Sequence, residues 1–157
     1  MTAADHAATF ATVFVALYVA HQVADHWIQT QHQADCKGRP GWPGRLACAA
    51  HVTTYTLTAI AALAAVALVL GLPLGLGKVA AGLAISAVTH YIADRRAPLK
   101  RLADLLGAGR FYVLGCPRPG RDDNPSLGTG SYALDQSFHY LFLFYLFLFV
   151  AALVIAA

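Results

Sequence analysis

His21-Gln-Val-Ala-Asp25-His26-Trp-Ile-Gln29 closes an apolar run from Ala7 to Ala20, so one helix begins in greasy sequence and ends in ionisable sequence. Residues four apart lie about 40° from each other around a helix axis, which puts His21, Asp25 and Gln29 on one polar stripe. The pairing recurs. His90-Tyr-Ile-Ala-Asp94 ends a later apolar run, Asp135-Gln-Ser-Phe-His139 opens the last, and His51 opens another. Three His/Asp pairs and one more His, each at the end of an apolar segment, read as parts of one site.

The chain has 157 residues, which suits a single domain over 1–157. It is 58% hydrophobic and 12% charged, has a mean hydropathy of +0.56 and contains no Glu. Soluble domains carry roughly 25% charged residues, so the expected class is an integral membrane protein. No cleavable leader is expected, because MTAADHAATF lacks a basic stretch and its apolar run leads into His21. Cys36, Cys48 and Cys116 form no CxxC pair, which signals neither a disulfide framework nor a thiolate zinc site.

Four segments are long enough to cross ~30 Å of hydrocarbon: about Ala7–Ile28, Leu46–Leu72, Gly77–Asp94 and Leu134–Ala157. Long unalternating runs are helices rather than barrel strands. The expected fold is therefore an all-α integral membrane bundle of four transmembrane helices, with a tight turn at Gly71-Leu-Pro-Leu-Gly-Leu-Gly77 between the second and third. Ten of the eleven Lys/Arg residues fall in the loops after the first and third helices, and only Lys78 falls on the other side. The positive-inside rule then puts both long loops in the cytoplasm and both termini outside, for a multi-pass protein of the bacterial cytoplasmic membrane. In that topology His21, Asp25, His51, His90, Asp94, Asp135 and His139 all fall at one level, near the cytoplasmic face.

The loop over 95–131 is the only extensive polar part. Pro98-Leu-Lys-Arg-Leu-Ala-Asp-Leu-Leu106 has leucines on one face and basic residues on the other, as a helix lying on a membrane surface does. Irregular loop is expected over 115–125, and Thr129 or Ser131 is placed to cap the last helix. The glycines there follow no strand, so a phosphate-cradling loop is poorly supported.

An intramembrane Asp or His is costly and normally faces the bundle interior, paired or functional. His and Asp at i and i+4 can share one metal, or the Asp can hold a ring N–H of a ligating His. Four His and three Asp exceed what one zinc needs, which leaves open a dinuclear site or a mononuclear site with outer partners. Nitrogen and oxygen donors without thiolate suit a divalent Zn, Mn or Fe ion and argue against copper(I). His26 and His32 are expected to face solvent, and His6 to be inert at the terminus. Gln22, Gln29 and Gln136 are expected to tie helices together. Trp27, Trp42, Tyr91 and Tyr132 suit an interfacial belt, and the Phe run from Phe138 to Phe149 suits lipid or core packing.

His21, Asp25, Gln29, Lys37, His51, His90, Asp94, Asp135, Gln136 and His139 together resemble the motif pattern of a family of small bacterial and phage membrane proteins of unknown function. That pattern is H-x3-D with a following Gln, a loop Lys, a His opening the second helix, H-x3-D in the third, and D-Q-x2-H in the fourth. Leu127-Gly-Thr-Gly-Ser-Tyr-Ala-Leu-Asp135 is similar to the family's actinobacterial members. The family looks related to the membrane-bound metal-dependent hydrolases, which implies a metal site more than any one reaction.

The function expected from these residues is metal-dependent hydrolysis of a phosphate-ester or lipid-linked substrate, with Asp25 or Asp135 as general base. Arg95, Arg96 and Lys100 stand where they would attract an anionic lipid headgroup. The alternative is a non-enzymatic membrane protein whose cluster binds or conducts metal ions or protons. A di-iron oxidase is disfavoured, because the clustered HxxH motifs that those enzymes carry are missing here. The lipid bilayer is the expected partner, and no nucleic acid is.

Overall fold

The computed structural model describes residues 2–116 and 129–155, with side chains as far as Phe144. Most of the irregular loop expected over 115–125, Leu127 and the Phe run beyond Phe144 lie outside the described residues. Every element among the described residues is helical: α1 (Ala3–Val23), α2 (Gln31–Cys36), α3 (Gly41–Leu70), α4 (Leu76–Asp94), α5 (Ala97–Leu105), α6 (Gly109–Tyr112) and α7 (Gly130–Ile155). A π turn, Ala24–Ile28, extends α1. The expected four long helices are accompanied by three short ones, α2, α5 and α6. Three stretches, Ala3–Ile28, Gly41–Leu70 and Leu76–Asp94, are long and apolar enough to cross a membrane. α7 is 26 residues long.

Local chemistry sets the helix ends. At the start of α1 the Thr2 hydroxyl accepts from the Asp5 N–H while the Asp5 carboxylate accepts from the Thr2 N–H, a reciprocal cap. α3 begins at Gly41, five residues before the expected Leu46, so His51 lies about three turns inside the helix rather than at its opening. Pro43 looks like a loop residue in sequence, but it sits in the first turn of α3, where a missing N–H breaks no hydrogen bond. Gly71, at φ 63°, ends α3 in the left-handed conformation that a side chain would oppose. Of the two expected caps for α7, Thr129 is the one used, its hydroxyl accepting from the Tyr132 N–H at 3.2 Å. Gly130 follows because a β-carbon there would overlap the Phe111 carbonyl oxygen of α6.

The long helices form a closed ring in which α1 and α4 each pack against both α3 and α7. One half of the ring interior is apolar: Val13, Leu17, Ala59, Leu63 and Leu143 meet there, with Phe14, Leu83 and Tyr140 against them. The outer surface is also apolar, with Val15, Val19, Leu57, Leu68 and Val88 all exposed. The other half of the interior is not apolar. His21, His51, His90 and Asp94 are among the largest fully buried side chains, which reverses the usual rule for what a protein interior holds.

Candidate metal centre

Each long helix contributes to the polar half from the same end of the bundle. α1 and its π turn bring His21 and Asp25, α3 brings His51, α4 brings His90 and Asp94, and α7 brings Asp135 and His139. The π turn matters to Asp25. The Gln29 N–H bonds to the Ala24 carbonyl five residues back at 2.9 Å, so the extra residue swings Asp25 towards α3 and α4.

Three atoms define the centre. His51 Nε2 and His90 Nε2 are 3.1 Å apart, and each is 3.2 Å from Asp94 Oδ2. Asp25 Oδ1 lies 3.3 Å from His51 Nε2 and 3.8 Å from His90 Nε2. Ligand atoms on a tetrahedral ion with bonds of ~2.0–2.1 Å are about 3.3 Å apart, so this set has spacings close to those of a tetrahedral ligand cage. Asp25 Oδ1 and Asp94 Oδ2 are sealed from solvent and have no hydrogen-bond partner among the described residues. A buried carboxylate oxygen without a partner is expensive, and a cation at the centre of the triangle would relieve both.

The other expected ligands surround this set. His21 Nε2 is 3.2 Å from Gln136 Oε1 and 3.8 Å from Asp25 Oδ2, so Gln136 holds it at the edge. The His139 Nδ1–H donates to the Asp135 carbonyl at 2.8 Å, which leaves Nε2 buried, unpartnered and free to accept. Asp135 Oδ2 accepts from Gln136 Nε2 at 3.3 Å, and the Asp135 side chain is 24% exposed, far more than Asp25 or Asp94. All seven expected residues fall into three groups, the first joined to the second by His90 and the second to the third by Asp94, with the ligand atoms of each group within 4.8 Å of one another.

A cavity of about 550 Å³ opens beside the centre. Asp25, Asp94 and Asp135 line it together with Lys37, Arg96, Tyr112, Ser131 and Tyr132. Lys37 Nζ is 2.7 Å from Asp94 Oδ1, and its side chain is 11% exposed. Sequence reasoning placed Lys37 in a motif without giving it a role.

Its basic neighbours do other work. Arg95 donates to the Lys37 and Arg39 carbonyls, clamping the loop after α2 onto the end of α4. Lys100 pairs with Asp104 on the exposed face of α5. Of the three cations expected to meet a headgroup, only Arg96 lines the cavity. Arg96 has a positive φ of 59°, costly for a residue with a side chain, and its guanidinium donates to the Ala34 carbonyl at 3.1 Å.

Gln29, expected to tie helices together, instead lines the cavity, and its side-chain nitrogen has no hydrogen-bond partner among the described residues. His26 is exposed, its ring between the Gln22 carbonyl and the Tyr132 hydroxyl, and His32 is exposed beside Cys36. Gln22 and Gln136 bond Tyr140 and tie α1 to α7. All three cysteines are free thiols.

Fold and site together define an all-helical protein with apolar long helices and a buried His/Asp cluster at one end of its bundle. Residues 13–157 match the model of DUF3307, a family described as proteins of unknown function, and the chain belongs to that family. No curated protein and no solved structure matches the chain.

Proposed function

We propose that the chain is a membrane-embedded, metal-dependent hydrolase acting on a phosphate-ester or lipid-linked substrate. The observation that carries this reading is the triangle of His51 Nε2, His90 Nε2 and Asp94 Oδ2, with edges of 3.1, 3.2 and 3.2 Å. His51, His90, Asp94 and Asp25 would hold a divalent Zn, Mn or Fe ion, with His21, Gln136 and His139 as outer partners. Such an ion lowers the pKa of a bound water towards ~7 and polarises a phosphoryl oxygen.

Asp135 is the better placed of the two expected bases, because Asp25 points one oxygen into the ligand cage while Asp135 opens onto the cavity. It would take a proton from the attacking water as the new P–O bond forms. The ester P–O bond then breaks, and the leaving alcohol takes that proton back. Four long helices, of which α1, α3 and α4 are apolar enough to span, support insertion as a four-crossing bundle. The basic loops favour a cytoplasmic site with both termini outside.

The apolar packing of Val13, Leu17, Ala59, Leu63 and Leu143 in the far half of the ring favours the enzymatic reading over the conducting alternative. Chelation should abolish phosphoester turnover and added Zn or Mn should restore it, while Asp94→Ala should give a folded, inactive protein. Metal-dependent ion flux in proteoliposomes, lost in His90→Ala, would decide for conduction instead.

A further inference from the structure

We infer that the centre takes a single metal ion and that Lys37 stands in for a second, the ion and the ammonium gripping one phosphate group of the substrate between them. This rests on the metal-dependent reading above and extends it to the number of ions and the group recognised.

Charge balance is the first reason. Asp25, Asp94 and Asp135 against the Lys37 ammonium leave a formal charge of −2, which one divalent cation cancels. A second divalent ion would leave a formal charge of +2 in the substrate-free centre, with no further carboxylate there to offset it.

The two oxygens of Asp94 give the second reason. Oδ2 faces His51 and His90 at 3.2 Å each, and Oδ1 faces Lys37 Nζ at 2.7 Å. In two-metal hydrolytic sites paired cations ~3.5–4 Å apart clamp the attacking and leaving oxygens of one phosphate. Asp94 here joins one ligand cage to one ammonium. A separate ion at Asp94, Asp135 and His139 would need an Asp94 oxygen already committed. Without it, Asp135 and His139 fall short of the three protein ligands such an ion needs.

The cavity supplies the third reason. Lys37, Arg96 and the three carboxylates line the same space, together with Tyr112 and Ser131. Lysine binds phosphate as a point charge, and a hydroxyl can donate to a remaining oxygen. Once the ion has neutralised the carboxylates, Arg96 adds the positive charge that an incoming phosphate requires. A lipid headgroup and a soluble phosphate ester present the same group.

The test measures zinc content and inorganic-phosphate affinity on zinc-loaded full-length protein in detergent. Wild type, Lys37→Met and Lys37→Arg should each hold one zinc per chain. Phosphate affinity should fall at least about ten-fold in Lys37→Met, as for a lost hydrogen bond to a charged group, and largely return in Lys37→Arg. The Lys37 carbonyl, which Arg95 grips, is untouched by these variants, and equal zinc content certifies that the cage is intact. Phosphatidic acid in phosphatidylcholine nanodiscs that competes with inorganic phosphate supports the assignment with a lipid source. Competition by a soluble phosphomonoester alone supports it with a soluble one. Two zinc ions in wild type, or unchanged phosphate affinity in a one-zinc Lys37→Met protein, overturns this inference alone. No zinc in wild type overturns the metal reading with it.

Discussion

Val13, Leu17, Ala59, Leu63 and Leu143 meet in one half of the helix ring, and in the other half the same helices α1, α3 and α7 send in His21, His51 and His139. α4 adds His90 and Asp94 to that second half. With the bundle inserted as proposed, the apolar half would gain little from hydrophobicity, since acyl chains are as apolar as leucine, and close packing would hold it. The polar half is held by ionic and hydrogen-bonded partners, and each partner removed strands another. The difference separates a half held by apolar packing from a half held by charge and hydrogen bonding, the half proposed to hold the metal.

The largest expected effect of a single change is at Asp94. Asp94→Ala strands the Lys37 ammonium and removes one corner of the ligand triangle, and with it two of the three edges. Loss of zinc binding and a destabilisation of about 3–5 kcal/mol are expected, read by metal analysis and denaturant titration in detergent. Acid should strip the polar half next. Protons compete with the ion for the imidazole lone pairs of His51 and His90, so metal affinity falls as pH drops. Zinc affinity should be measurably weaker at pH 5.5 than at pH 7.5, with the helical content unchanged.

The opposite half should behave in reverse. Leu63→Ala opens a cavity against Leu17 and Leu143 and should cost about 2 kcal/mol, while zinc content stays at the wild-type value. The smallest effect falls outside the ring. Lys100→Ala breaks an exposed pair with Asp104 and should change stability by less than about 0.5 kcal/mol and phosphate affinity not at all. A large effect there would restore Lys100 to the role its sequence suggests.

Helical period made the site legible, because His21/Asp25, His90/Asp94 and Asp135/His139 share one spacing and hairpin topology brings such ends together. What the spacing hid depends on contacts between distant parts of the chain. Lys37 reaches Asp94 because Arg95 holds its loop by two carbonyls, a contact across 58 residues that no local pattern encodes. Arg95, Arg96 and Lys100 look alike in sequence, yet only Arg96, turned by its positive φ, lines the cavity. The π turn that redirects Asp25 has no residue signature in Ala24-Asp-His-Trp-Ile28. Pro43 is tolerated in a first turn, so α3 starts before the expected Leu46 and His51 lies deep. The long helices were legible from hydropathy. The short α2 and α6 were not, since six and four residues carry too little periodicity to stand out.

The most direct test of the centre is the metal content of purified protein, supplied with Zn, Mn and Fe, beside a His90→Ala/Asp94→Ala variant. The expected result is about one equivalent of a single divalent metal in wild type and none in the variant, with both proteins monodisperse and equally helical. Metal-free wild type after all three supplies, or equal metal in the variant, contradicts the assignment of His51, His90, Asp94 and Asp25 as a ligand cage.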